Sequence, residues 1–104
     1  MQIFNFKLIL DDIDLTGPYE NQLFEAGCND GLVSTYPVTL NGESKVRCVI
    51  HFDREGSSLV AAVDSAIKNV MSTGASVVCA AGEFDSATQQ LLSAQGIPFQ
   101  TALS

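Results

Sequence analysis

Positive charge is scarce in this chain. Five lysines and arginines stand against twelve aspartates and glutamates, a net charge of −7 over 104 residues. That balance argues against general affinity for phosphate backbones or anionic membranes, and it suits solubility or a basic protein partner. Long apolar runs are also missing, and none approaches the roughly 20 residues that span a bilayer as a helix. No basic stretch followed by an apolar segment comes after Met1, so no secretory leader is read and the cytoplasm is the expected compartment. Cys28, Cys48 and Cys79 are odd in number, widely spaced and form no Cys-x-x-Cys, which argues against a disulfide framework or a zinc site. Cys48 and Cys79 fall in strand-like apolar runs, where a thiol behaves as a small hydrophobe. Gly-x-Gly-x-x-Gly and phosphate-loop patterns are absent, and no cofactor is expected.

What remains is enough for a core. With 46% hydrophobic residues, the chain reads as one folded domain over 1–104. Ile3 to Leu10 alternates, with Phe4, Phe6, Leu8 and Leu10 on one side, and predicts a half-buried strand. Thr16 and Pro18 open a short helix that stops at Gly27. Leu32 to Thr39 and Lys45 to Phe52 predict two strands around Asn41-Gly42. A three-residue loop, Leu40-Asn41-Gly42, is expected there, because it pairs Tyr36 with Val46 and Leu32 with Ile50. Ser57 or Ser58 caps a second helix whose stripe is Leu59, Ala62, Val63, Ala66, Ile67 and Val70, ended by Gly74. Val77 to Ala81 is a buried strand. Ser86 with Gln89 suggests a capping box for a third helix carrying Leu91, Leu92 and Ala94. Ile97 to Leu103 follows as an edge strand, given Pro98.

This order predicts an α+β fold: a ferredoxin-like split β-α-β sandwich (βαββαβ) with an added C-terminal αβ unit. The helices would cover one face of a mostly antiparallel sheet of strand order 4-1-3-2, with the last strand beside the fourth.

In such a sheet the third and fourth strands end at one rim. Asp30, Asp53, Glu55, Glu83 and Asp85 collect there, with Arg54 the nearby cation. Carboxylates ahead of helix starts offset exposed N–H groups by roughly 0.3–1 kcal/mol each, so helix capping accounts for part of this cluster. A basic protein surface is the partner the rest would attract. No Asp-x-Asp-x-Asp-Gly spacing supports a Mg²⁺ or Ca²⁺ site. The face away from the helices would carry Lys7, Lys45, Arg47 and His51 among Ile3, Ile9, Val33 and Val49. That face is expected to meet another protein or a second copy of the chain. Direct RNA binding is argued against because Phe4 and Phe6 face the core rather than forming a stacking platform. His51 and Cys28 form the sole nucleophilic option, without a recognisable oxyanion loop.

Phe24-Glu25-Ala26-Gly27-Cys28-Asn29-Asp30, Phe52-Asp53-Arg54-Glu55, Ser58-Leu59 and Ser65-Ala66-Ile67 carry a resemblance. From Phe24 to about Val77 the chain is similar to a family of small bacterial proteins of poorly defined role. Such proteins often continue into a helix-turn-helix-like segment, which implies a DNA-binding regulator. After Val78 this chain instead reads Cys79-Ala80-Ala81-Gly82 and runs into one helix–strand unit. The resemblance implies a fold and, as an alternative, a transcription-linked regulatory or dimerisation module.

The residues themselves point to a small non-enzymatic protein that inhibits or regulates a protein partner. An antitoxin, an immunity protein or a phage anti-defence inhibitor such as an anti-CRISPR would fit. Its expected partner-binding residues are Asp30, Asp53, Glu55, Glu83, Asp85, Lys7, Arg47, Val49 and His51.

Overall fold

The computed structural model describes residues 2–11, 25, 31–40 and 42–100. Five strands and two helices are described: β1 (Gln2–Asp11), β2 (Gly31–Leu40), β3 (Glu43–Gly56), α1 (Leu59–Met71), β4 (Ser76–Ala81), α2 (Ser86–Ala94) and β5 (Phe99–Gln100). The strands form one sheet in the order β2-β3-β1-β4-β5, the order expected. Neighbours are antiparallel except β4 and β5, which run parallel. The architecture is α+β with a mostly antiparallel sheet. The helix expected between Thr16 and Gly27 lies outside the described residues except for Glu25, which is helical.

The alternation in β1 works as expected on one side and differs on the other. Phe6, Leu8 and Leu10 join Cys48, Ile50 and Phe52 of β3 in the main core, beneath Ala62, Val63, Ala66, Ile67 and Val70 of α1. Phe6 and Phe52 stack with ring centroids 5.2 Å apart. On the opposite face Ile9, Val38, Val49, Cys79 and Ala81 form a second, smaller buried cluster. β4 serves both clusters by alternation, Ala80 on one face and Cys79 and Ala81 on the other, and a register shift between Ile9 and Leu10 changes the facing of its first residues. Cys79 stands opposite Ile9 and Val77 opposite Leu10, leaving Val78 as the extra residue of a bulge. Val77 thereby reaches the main core while Val78 packs on the second cluster.

The β2–β3 hairpin corrects the expected loop. Leu40 pairs with Glu43, Val38 with Lys45 and Tyr36 with Arg47, so the loop has two residues, 41 and 42, with Gly42 at φ +79°. Pro37 supplies a reason. Pairs in a two-residue hairpin alternate between bonded and non-bonded from the closing pair outward, which makes Pro37–Val46 a non-bonded pair. The nitrogen without a hydrogen then faces the side of β2 where no described strand pairs with it, and proline is tolerated there. A three-residue loop would set Pro37 against Lys45 at a bonded position and cost a ladder bond. Val33 consequently faces the helix side rather than the opposite one, and Leu32 is left 68% exposed.

Ser58 caps α1, its hydroxyl accepting from the Ala61 N–H at 3.2 Å. For α2 the expected cap moves by one residue. Asp85, not Ser86, is the N-cap, and its Oδ1 accepts from both the backbone N–H and the hydroxyl of Thr88. A carboxylate is the stronger acceptor at a helix start, and Thr88 is fully buried beneath it. β5 is described only over Phe99–Gln100 and lies at the sheet edge, as Pro98 suggested.

Candidate functional site

β3 organises the charged surface. Its residues Lys45, Arg47, Val49, His51, Asp53 and Glu55 share the face away from α1, since Val49, His51, Asp53 and Glu55 stand opposite Ile9, Lys7, Asn5 and Ile3 of β1. The cations thus sit on one face, as expected, but their exposure differs from the expectation. Arg47 is only 7% exposed and Val49 is fully buried. The Arg47 Nη1 donates to the Val38 carbonyl at 2.6 Å, while its Nε is buried without a hydrogen bond. Lys45 is exposed and pairs with Asp11, Nζ to Oδ2 at 2.9 Å. Arg47 and Val49 are therefore not accessible to a partner. Val49, together with Ile9 and Val38, was needed to fill the second cluster.

At the other end of β3 the carboxylates face solvent. Asp53 and Glu55 are exposed, as are Glu83 and Asp85 just beyond the end of β4. Among the described residues none of these four is in an ion pair. Arg54, expected as their nearby cation, turns to the helix side instead. Its Nη1 donates to Ser65 Oγ at 3.1 Å and Asn69 Oδ1 at 2.9 Å, and its guanidinium lies 5.1 Å from the Phe52 ring centre. The arginine clamps α1 to β3 and leaves the rim without it. Asp30 lies outside the described residues, as does Cys28.

Gly82 joins the two strand ends. It lines a depression of about 300 Å³ with Asn5, Lys7, His51 and Asp53, and a second of about 480 Å³ with Glu83, Phe84, Asp85 and Phe99. Asp53 and Glu83 thus line two hollows that meet at Gly82. The glycine is required. Its φ is +154°, and a Cβ there would meet the Phe84 ring at 3.3 Å.

In the first hollow, burial and the Lys7 charge hold the His51 imidazole below its ordinary range, with Asp53 pulling the other way. The second hollow was not visible in the sequence. It needs β4 and β5 side by side to bring Phe84 to Phe99, and its one local signal is an aromatic between two acids, Glu83-Phe84-Asp85. Bonds from Thr88 hold the Asp85 carboxyl below the usual carboxylate range, so it is ionised at neutral pH.

Among the described residues no three His, Cys, Asp or Glu side chains are grouped so as to hold a metal ion. No helix among them is long and apolar enough to cross a membrane. No family model, curated protein or solved structure matches the chain.

Proposed function

We propose that this chain binds a basic surface on another protein through the carboxylate rim, and so inhibits or regulates that partner. The observation that carries this reading is the set of exposed carboxylates Asp53, Glu55 and Glu83, none of them in an ion pair among the described residues, with Asp85 beside them as the α2 cap and Arg54 turned to α1. A net charge of −7 steers a basic partner toward the chain, and the rim fixes where it lands. A partner that normally handles nucleic acid has such a surface, and an acidic protein occupying it acts as a blocker, in the manner of an antitoxin, an immunity protein or an anti-defence inhibitor. The supporting scaffold is read as a ferredoxin-like βαββαβ sandwich with an added αβ unit, a topology that agrees with the strand order and directions.

The test is capture of the partner from the native host by the wild-type chain and by the triple variant Asp53→Lys, Glu55→Lys, Glu83→Lys. The variant should lose the partner while keeping its fold. Equal capture by both would remove the rim from the account.

A further inference from the structure

The larger hollow at Gly82 has a chemistry the rest of the rim lacks. β4 and β5 finish together, Ala80 opposite Phe99 and Ala81 opposite Gln100, and α2 starts five residues after Ala81. This brings Phe84 and Phe99 edge to face, ring centroids 6.2 Å apart at 88°. Phe99 is 37% exposed, a large apolar surface at a sheet edge. Around the rings stand Glu83, Asp85 and Gln89, and no lysine or arginine lines the hollow. Gln89 is held in place, its Nε2 donating to the Phe84 carbonyl at 2.9 Å, which leaves its amide oxygen as a further acceptor. The volume of about 480 Å³ falls within the range of clefts that hold small ligands, roughly 300–1,000 Å³.

We infer that this groove takes an arginine side chain from a basic protein segment. The inference rests on the reading of the rim as a docking surface and names what anchors it. Aromatic faces and carboxylates together select a cation with a flat, weakly hydrated face. A guanidinium can stack on Phe99 while its fork of N–H groups reaches the Glu83 carboxylate; an ammonium offers neither the plane nor the fork. Arginine anchors of this kind carry a large share of binding energy in protein interfaces.

The experiment uses the full chain, labelled with ¹⁵N, titrated at low salt with two blocked peptides. One carries arginines spaced by glycine and the other carries lysines at the same positions. The expected result is amide shifts centred on Glu83, Phe84, Gln89 and Gln100, with tighter binding of the arginine peptide. Phe99→Ala should weaken that binding by roughly 2–30-fold, the range of a cation–π contact. Phe99→Leu, which keeps apolar bulk at the edge, should weaken it in the same direction and guards against a folding defect. Shifts centred on Asp53 and Glu55, equal for both peptides and unchanged in the Phe99 variants, would overturn the groove and leave the rim standing. No shift with either peptide would overturn both.

Discussion

On one face of β3, Lys45 and Arg47 lie towards the hairpin and Asp53 and Glu55 towards the far end, and the two pairs sit in different surroundings. At the hairpin end Lys45 is tied to Asp11, and Arg47 is buried with its guanidinium on the Val38 carbonyl. At the far end Asp53 and Glu55 face solvent, with no ion pair among the described residues. One end uses its charges within the sheet, and the other leaves its carboxylates exposed. Equal spacing along a strand therefore says little about availability. What decides is whether a neighbouring strand or cluster lies over the side chain.

Substitutions can break this contrast in order of size. Val49→Asp places an uncompensated carboxylate in the second cluster and should cost at least about 3 kcal/mol, read as a large drop in urea midpoint. A cost below 1 kcal/mol would mean that this face is open after all. Arg54→Ala removes the two bonds to α1 and the contact with Phe52, and should lower stability by about 1–3 kcal/mol by thermal or urea denaturation. Lys45→Ala breaks an exposed pair with Asp11, so a loss under about 1 kcal/mol is expected. Glu55→Gln should leave stability within about 0.5 kcal/mol, because the side chain is exposed and in no ion pair among the described residues. If Glu55→Gln proves as damaging as Arg54→Ala, the contrast between the two ends fails.

The smallest effects concern pH. Burial and Lys7 depress the His51 pKa from its ordinary 6.5. In the window just below 6.5 the unfolded chain binds a proton that the folded chain does not, so folding stability falls as pH drops through that window. His51→Gln should flatten this dependence. By proton NMR, Lys7→Gln should raise the His51 pKa and Asp53→Asn should lower it further. Shifts in the same direction would separate the three groups.

Much of the fold was legible because its signals are local. Phe4, Phe6, Leu8 and Leu10 read as one face of a strand, the α1 stripe from Leu59 to Val70 reads as a helix, and together they imply the sheet order. The apolar side of β3 alone points to the wrong hairpin register, and Pro37 decides it; a proline at a bonded position costs more than splitting the apolar residues of β2 between faces. The cap on α2 was missed by one residue, where a carboxylate outcompeted a serine. At the site, alternation puts Lys7, Lys45, Arg47 and His51 on one face, and the structure adds Asp53 to it. Alternation could not show that Arg47 and Val49 are buried, since that depends on Val38 joining Ile9 and Cys79 in the second cluster. The groove was beyond local reading, as Phe84 and Phe99 meet only through the parallel pairing of β4 and β5.

The outward nitrogen of Pro37 also bears on how the chain keeps to itself. Among the described strands β2, ten residues long, ends the sheet, and such an edge is a template for a foreign strand. With no donor midway, a strand laid alongside loses its zipper at the centre and must settle for a short stretch on either side. A proline at the middle of an edge strand thus shortens the run over which another strand could pair with it.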